Sequence, residues 1–327
     1  MKRVLIIGAG GIVARHVEAL HKIETVKITG ICDIVRERAE TLGRKLGAAA
    51  STDLDDALDR SAPDYVLVCT PREVRLPLIE RCARAGLPVF MEKPPCHNLT
   101  TGRRIQHVIE SAGLVHAVGF NRRWNDPLNE VLRRIEGQTI ALVTIRFLSP
   151  FATDPVYDTY PGPYLVERSG GLVGDQGIHY VDVARYICRS EVRSITAVGF
   201  NHNLPRSQHV STCDTACWTL EMESGAVVSH AHTWAAPAWG AWITIVTNRS
   251  SITTDMLENN ATGTLDGKPF DYAGTVSEAE AQHRGFLEAV ETGDMTAVRS
   301  PYADALNSFR VAAEINQLIY GRTDELS

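Results

Sequence analysis

Three polar side chains recur at helical spacing in the otherwise apolar stretch GGLVGDQGIHYVDV, residues 170–183. Asp175, His179 and Asp182 are related as i, i+4 and i+7, so one continuous helix would place them along a single stripe. An imidazole beside a carboxylate in apolar surroundings can accept a proton near neutral pH. The spacing therefore predicts a general base, which would take a hydroxyl proton while hydride leaves the same carbon.

The second candidate group is a lysine in PVFMEKPP, residues 88–95, where Glu92 and Lys93 end a run of strand-forming residues. Doubly wound sheets bind ligands beyond the carboxyl ends of their strands. A lysine at that edge could hydrogen-bond a substrate hydroxyl and stabilise the charge that develops as hydride is removed. A solvated Glu–Lys pair ahead of a turn is the alternative.

A glycine-rich turn follows the first apolar run, in VLIIGAGGIVARHVEAL. Gly8, Gly10 and Gly11 would let backbone N–H groups approach a pyrophosphate, and the following helix adds the positive end of its dipole. The third motif position holds Val13, where glycine or alanine is usual. The turn predicts dinucleotide binding, and a nucleotide-free α/β domain is the alternative.

Asp33 ends the second apolar run, where a carboxylate would accept hydrogen bonds from the adenosine ribose. Arg36 and Arg38 follow, and they could hold a 2′-phosphate. A doubly charged phosphate beside Asp33 would nevertheless be repelled by several kcal/mol. The sequence therefore predicts NAD rather than NADP as the cofactor.

These residues need elements to position them, and the first 120 residues alternate short apolar runs with helical patterns. Continuous apolar runs are typical of parallel strands buried on both faces. The predicted strands cover residues 3–8, 26–32, 64–70, 88–92 and 115–120. The predicted helices lie near residues 12–21, 35–46, 53–60, 73–85 and 101–112. The pattern predicts an α/β domain with a doubly wound parallel sheet.

After Asn121 the pattern changes. A helix near residues 127–136 precedes the strand TIALVTIRFL, and strand-like stretches broken by short turns run from about residue 192 to 266, which favours an antiparallel sheet. Helices near residues 278–292 and 302–320 finish the pattern. A loop rich in Pro, Tyr and Asp, SPFATDPVYDTYPGPY, begins at Ser149. The loop between residues 150 and 168 is expected to select the substrate.

The length of 327 residues exceeds the size at which one core usually stops growing, so we expect two domains. Residues 1–120 would bind the dinucleotide. Residues 121–327 would bind the substrate and form oligomers, with a C-terminal helix that could pack back on the first domain.

Composition narrows the classes of partner. The net charge is −6 and both signs are interspersed, so the chain offers no basic stripe for nucleic acid and no polybasic membrane anchor. No apolar run approaches the roughly 18 residues of a membrane span, and the start MKRVLIIGAGG lacks a signal-peptide cleavage site. We expect a cytoplasmic protein with a small-molecule partner. The seven cysteines are scattered without a C-x-x-C pair, which favours buried side chains over a zinc site.

Several motifs occur together: the glycine turn, CTP at residues 69–71, EKP at 92–94, GFNRRW at 119–124 and GGLVGDQGIHYVD. With these motifs the chain resembles, over essentially its whole length, the glucose–fructose oxidoreductase, inositol dehydrogenase and MocA family. The resemblance implies an N-terminal Rossmann domain and a C-terminal α/β domain with a large, open, mainly antiparallel sheet. It also implies homodimers or homotetramers formed through that sheet, and hydride transfer between a nicotinamide cofactor and a sugar or cyclitol carbon.

The resemblance further implies individual roles, with Lys93 as the active-site lysine, Asp175 as the aspartate and His179 as the proton-transferring histidine. The residues expected to contact the cofactor are Gly8, Gly10, Gly11, Ile12, Val13, Asp33, Arg36, Thr70, Pro71, Glu92, Lys93 and Asn121. Those expected to contact the substrate are Lys93, Asn121, Arg122, Asp175, Gln176 and His179. Arg72 and Arg75 depart from the family, which often has Asn and His at these two positions.

Together these features predict an NAD-dependent dehydrogenase that oxidises a secondary hydroxyl of a sugar or cyclitol. His179 would be the base, Lys93 the electrostatic stabiliser and Asp175 a positioning group. A glycosidase or lyase that uses bound NAD for a transient oxidation is one alternative. A non-catalytic NAD-sensing regulator is another, although such a protein has little reason to keep all three residues.

Simpler roles for the same side chains stay open. Asp175 could cap a helix whose His179 is merely hydrogen-bonded in the core. Asp175, His179 and Asp182 could also bind a metal ion, but hydride transfer to NAD needs none and we predict none. His230 and His232, at i, i+2 in a predicted strand, fit a sheet face better than a zinc site.

Overall fold

The computed structural model describes residues 1–152, 165–202 and 211–326. Most of the loop expected to select the substrate, residues 153–164, lies outside these described residues. Contacts divide the chain into two compact units. The first comprises Met1–Asn121 and Glu278–Leu306, and the second comprises Arg122–Ser277 and Asn307–Ser327.

The first unit contains a six-stranded parallel sheet. Its strands are β1 (Lys2–Ile7), β2 (Val26–Cys32), β3 (Ala49–Ser51), β4 (Tyr65–Val68), β5 (Val89–Met91) and β6 (His116–Val118). The spatial order is β3-β2-β1-β4-β5-β6, so the chain reverses direction across the sheet between β1 and β4. Doubly wound sheets bind ligands beyond the strand ends at this reversal.

Helices cover this sheet: α1 (Val13–His21), α2 (Arg36–Leu46), α3 (Leu54–Ser61), α4 (Arg75–Arg84), α5 (Leu99–Ser111) and α9 (Glu278–Thr292). From the sequence we placed α9 with the substrate-binding part of the chain. Its contacts group it with the first unit, because Phe286 and Leu287 lie in the same apolar core as Tyr65 and Phe90. The assignment of dinucleotide binding to residues 1–120, and of substrate binding and oligomer formation to residues 121–327, stays a prediction.

The second unit contains an eight-stranded sheet in the order β14-β13-β12-β11-β7-β10-β9-β8. The strands are β7 (Ile140–Leu148), β8 (Val192–Phe200), β9 (Thr215–Met222), β10 (Val227–Thr233), β11 (Gly240–Thr247), β12 (Ser251–Asp255), β13 (Asn260–Leu265) and β14 (Lys268–Ala273). Only β7 and β10 pair in parallel within the described sheet. Burial alternates along β9 and β10, as expected for a sheet with one covered face.

The covered face packs against α8 (Ile178–Cys188), because the Tyr180 ring contacts Phe147 of β7 and His230 of β10. The other α-helices in the described part of the chain are α6 (Asp126–Arg134), α7 (Val166–Ser169) and α10 (Tyr302–Tyr320). The predicted fold class, a parallel doubly wound sheet plus a mainly antiparallel second sheet, is confirmed. No helix in the described ranges is both long and apolar enough to cross a membrane.

Candidate active site

The glycine-rich turn joins β1 to α1 at the reversal of the sheet. Gly8 has a φ of +95°, and a Cβ there would lie 2.8 Å from the carbonyl oxygen of Cys69. A Cβ at Gly10 or Gly11 would meet nothing within 4 Å, and α1 begins at Val13 without a side-chain cap. The turn thus combines open space with the amino end of a helix, which fits the pyrophosphate of a dinucleotide.

Asp33 follows β2 and is 9% exposed. Its Oδ2 accepts a hydrogen bond from the Ala9 N–H at 2.7 Å, and its Oδ1 accepts one from the Val35 N–H at 2.8 Å. Each carboxylate oxygen keeps a further acceptor site that a ribose hydroxyl could use. The sequence prediction gave Asp33 only the ribose, and it missed that the same side chain holds the glycine turn.

Other residues predicted to contact the cofactor differ in exposure. Ile12 is 36% exposed directly before α1, whereas Val13 is buried in the core of the first unit. Arg36 is exposed at the start of α2 and pairs with Glu40 at 3.7 Å. The third position of the glycine motif therefore contributes to packing, while Arg36 lies in solvent.

The EKP turn follows β5, and its glutamate is buried in a chain of polar contacts. Glu92 Oε1 lies 2.9 Å from His16 Nε2, and His16 Nδ1 lies 2.9 Å from His283 Nε2. Burial alone would raise the pKa of Glu92, but the His16 hydrogen bond and the charges of Lys93 and Arg75 hold it below its usual value. Sequence reasoning missed both histidines as partners of Glu92, because neither lies near the EKP motif in the chain.

Lys93 is half-buried at the carboxyl end of β5, and the Lys93–Pro94 peptide bond is cis. Its N–H donates to Glu92 Oε2 at 3.1 Å. Across the same unit, Asn121 Nδ2 donates to Glu278 Oε2 at 2.6 Å at the start of α9. Asn121, which we expect to contact both the cofactor and the substrate, is thus bound to a carboxylate that the sequence did not single out.

Asp175 and His179 lie in the second unit, both half-buried. Asp175 occupies a π-helical turn, Val173–Gly177, and α8 begins only at Ile178. The prediction of one continuous α-helix was therefore wrong. Glycine allows the wide turn to pack closely, since a Cβ at Gly174 would lie 2.6 Å from the Ser169 carbonyl oxygen.

Asp182 does not belong to the predicted polar stripe. It is completely buried, and its carboxylate accepts hydrogen bonds from Arg123 Nε at 2.7 Å and Arg123 Nη2 at 2.6 Å. Ser308 Oγ donates to the same carboxylate at 2.7 Å. Asp182 is thus part of a buried ion pair. The sequence pattern did not reveal this ion pair, because Arg123 and Ser308 lie far along the chain from Asp182.

Gln176, predicted to contact substrate, is tied to the covered sheet face. Its Oε1 accepts a hydrogen bond from the indole N–H of the fully buried Trp234 at 2.7 Å. Arg122 lies with its guanidinium carbon 5.8 Å from the centre of the Tyr180 ring. Of these two predicted substrate residues, Gln176 therefore bonds a side chain just after β10, and Arg122 lies beside a side chain of α8.

His230 and His232 are buried on the covered face of β10, and their Nε2 and Nδ1 atoms lie 3.3 Å apart. The His230 ring stacks on Trp218 with centroids 4.0 Å apart. In the part of the chain that the structure describes, no group of three or more histidine, cysteine, aspartate or glutamate side chains could hold a metal ion. Six of the seven cysteines are buried, as expected, and Cys217 is exposed.

Comparison with known families covers both halves of the chain. Residues 2–120 match the family model described as an oxidoreductase family with an NAD-binding Rossmann fold, and residues 136–253 match the GFO/IDH/MocA C-terminal domain. The chain belongs to the GFO/IDH/MocA oxidoreductase family. Its first unit is accordingly an NAD-binding Rossmann domain, as the glycine turn and Asp33 predict.

Individual relatives agree with this assignment. The chain is 32% identical to an uncharacterized oxidoreductase, YrbE, of Bacillus subtilis, over 68% of this chain and 64% of that protein. It is 30% identical to myo-inositol 2-dehydrogenase of Thermotoga maritima, over 69% of this chain and 66% of that protein. The chain thus matches just under two thirds of the length of these relatives.

A solved structure shares the fold across nearly the full length. UDP-N-acetylglucosamine 3-dehydrogenase of Acidithiobacillus ferrooxidans superimposes with a TM-score of 0.84 and 18% identity, over 98% of both chains. At this identity the likeness supports the architecture alone.

Proposed function

We propose that this protein is an NAD-dependent dehydrogenase that oxidises a secondary hydroxyl of a sugar or cyclitol. The observation that carries the proposal is a titratable pair, Asp175 on the π turn and His179 at the start of α8, in a chain whose first unit is an NAD-binding Rossmann domain. The similarity to a myo-inositol dehydrogenase supports a polyhydroxylated substrate.

Each candidate residue has a distinct part in the proposed reaction. NAD supplies the hydride acceptor when it is bound. His179 takes the hydroxyl proton through Nε2, because its Nδ1 is buried. The Lys93 ammonium donates a hydrogen bond to the substrate oxygen as negative charge develops there, and Asp175 orients the imidazole and the substrate.

A substrate panel tests the proposal. The purified protein is incubated with NAD and myo-inositol, scyllo-inositol, glucose or UDP-N-acetylglucosamine, and NADH absorbance and products are followed. We expect net NADH with at least one of these compounds. Product formation without net NADH would instead indicate a glycosidase or lyase that returns the hydride, and NAD binding without any turnover would indicate a regulator.

Variants at the lysine sharpen this test. Lys93→Ala should lower kcat by roughly 10²-fold or more while NAD still binds, as expected when a transition-state hydrogen-bond donor is removed. Lys45→Ala, at an exposed position of α2, is the matched control and should keep the native kcat. A native kcat for Lys93→Ala would make Lys93 a surface lysine ahead of a turn.

We also propose that a second copy of the chain binds the open face of the second sheet. Val198 and Phe200 of β8 are 65% and 55% exposed, and Val227 of β10 is 37% exposed. Val198 and Phe200 lie two residues apart on β8 and therefore share one face of the sheet. Exposed apolar side chains on one face are typical of interaction sites. Light scattering should give a homodimer or homotetramer, and Phe200→Lys should shift it toward monomer. A monomeric native protein would refute this.

A further inference from the structure

We propose that Arg75 is a positioning residue that fixes Lys93 by binding the main-chain carbonyl groups on either side of it. The inference rests on the proposed function, because it concerns the lysine assigned there to the substrate oxygen. It also accounts for one of the positions, Arg75, at which the chain departs from the residues that its family often has.

The contacts of Arg75 join the ends of two neighbouring strands. Its Nη1 donates to the carbonyl oxygens of Glu92 and Pro94, the residues that flank Lys93. Its Nε and Nη2 donate to the carbonyl oxygen of Thr70, after β4, at 3.2 and 2.8 Å. A single guanidinium therefore links the turn after β4 to both sides of Lys93.

The other side of the turn is held by the Glu92 carboxylate. The Lys93 N–H donates to Glu92 Oε2, while Glu92 Oε1 contacts His16. The Gly119 backbone packs directly against this carboxylate, because a Cβ at Gly119 would lie only 2.9 Å from Glu92 Oε1. The Lys93 N–H and the carbonyl groups before and after the residue are thus all bound within the first unit, so the lysine side chain starts from a fixed Cα.

The chemistry of this link is particular to arginine. Arg75 is only 2% exposed, and burial lowers the pKa of its guanidinium, an effect that the charge of Glu92 opposes. The planar fork presents several N–H donors in fixed directions, which lets it reach three carbonyl groups together. An ammonium on a flexible stem, or an imidazole with its two nitrogens, cannot reproduce this arrangement. Arg75→Lys should therefore keep the charge and lose the positioning.

A double-mutant cycle tests whether Arg75 acts through Lys93. We would measure kcat and KM for Arg75→Lys, Lys93→Ala and the double variant, with NAD and the compound of the substrate panel that gives the most NADH. Arg75→Lys should lower kcat by about tenfold or more in the native background, because a displacement of about 1 Å in a reacting group can cost up to 10²-fold. In the Lys93→Ala background the same change should alter kcat by less than about twofold. An equal loss in both backgrounds would overturn the proposal.

Two further variants protect this cycle from trivial effects on folding. Arg81→Lys is the matched control, since Arg81 lies on the same helix and pairs with the exposed Asp55 at 2.5 Å. It should keep the native kcat. Arg75→Gln carries no buried charge to desolvate, so it tests the same coupling if Arg75→Lys fails to fold. Its kcat loss should also disappear in the Lys93→Ala background, and a loss that persists there would count against the positioning role.

A second readout needs neither cofactor nor substrate. Lysines of the cofactor-free protein are labelled with trinitrobenzenesulfonate, and mass spectrometry gives the rate at each site. Arg75→Lys should speed labelling of Lys93 about threefold or more, because the released turn exposes its amine. Lys22 and Lys45 serve as internal controls. An unchanged rate at Lys93 would refute positioning. If Lys93→Ala keeps its native kcat, the catalytic role of Lys93 is wrong, and this labelling still decides whether Arg75 holds the lysine.

Discussion

The two units hold their candidate site residues by different means. In the first unit, Asp33 and Lys93 follow parallel strands, and hydrogen bonds that involve main-chain groups hold both positions. Asp33 accepts a hydrogen bond from the Ala9 N–H, and Arg75 donates to the Thr70 carbonyl and to the carbonyl groups that flank Lys93. In the second unit, the helix that carries His179 is fixed by side-chain contacts between distant parts of the chain. The Asp182 contacts to Arg123 and Ser308 are the strongest example.

This difference teaches where each unit is vulnerable. Main-chain N–H and carbonyl groups are still present when a side chain is substituted. We therefore expect single substitutions at a few residues of the first unit to reduce function while the unit stays folded. A buried ion pair has no substitute once one partner is removed. The second unit should therefore lose stability before it loses any particular chemistry.

The largest expected effect comes from breaking the buried pair. Asp182→Asn leaves the Arg123 guanidinium buried beside a neutral group, which should lower the free energy of unfolding by about 3–5 kcal/mol. Urea unfolding followed by tryptophan fluorescence measures this in the second unit, because all five tryptophans lie there. NAD affinity should stay within about twofold of native.

The control for this variant is an exposed ion pair in the same unit. Asp266 pairs with Arg249 at 3.1 Å, with both side chains about half exposed. Asp266→Asn should cost less than about 1 kcal/mol, because solvent screens such a pair. Equal costs for Asp182→Asn and Asp266→Asn would remove the proposed contrast between the units.

A smaller effect should appear as acid sensitivity of the second unit. Burial lowers the pKa of His232 to about 3, below the value of about 6.5 in an unfolded chain. Below about pH 6.5, His232 therefore binds a proton in the unfolded chain but stays neutral in the folded chain. The stability that His232 gives above about pH 6.5 is lost as the pH falls, at about 1.4 kcal/mol per pH unit, or about 3 kcal/mol by pH 4.5.

His232→Leu should make the fall in unfolding free energy between about pH 6.5 and 4.5 shallower by that amount. His202→Leu, at an exposed position of the same unit, should keep the native slope. The same urea titrations, repeated across this pH range, make the comparison. A native slope for His232→Leu would show that the imidazole is not buried as a neutral group.

The smallest expected effect concerns cofactor choice in the first unit. NAD should be preferred over NADP by at least about tenfold in kcat/KM, because the Asp33 carboxylate repels a 2′-phosphate. Asp33→Ser should narrow that ratio, since serine removes the charge. Equal kcat/KM values for the two cofactors in the native enzyme would contradict this assignment of Asp33.

The same contrast explains how much the sequence could predict. Continuous apolar runs predicted five of the six strands of the first sheet, and the glycine motif correctly placed the turn between β1 and α1. The missed strand, Ala49–Ser51, is short and has no β-branched residue to indicate it. These features follow from local sequence, so periodicity and turn chemistry suffice.

The parts that failed depend on contacts between distant residues. Helical spacing placed Asp182 on the same stripe as His179, yet Arg123 and Ser308 hold it in the core. No local pattern indicates that His283 reaches His16, or that Arg75 spans three carbonyl groups. The π turn was equally hidden, because glycines that permit a wide turn are also compatible with an ordinary helix.

The central claim is that His179 transfers the proton while the first unit independently binds NAD. The most direct test is the pH dependence of kcat/KM for the native enzyme and His179→Ala, with NAD affinity measured alongside. The native profile should fall on the acid side, with a midpoint between about pH 6 and 8. His179→Ala should lose roughly 10²- to 10⁴-fold in rate and lack the acid limb, with native NAD affinity. Near-native rates with the same acid limb would contradict the claim.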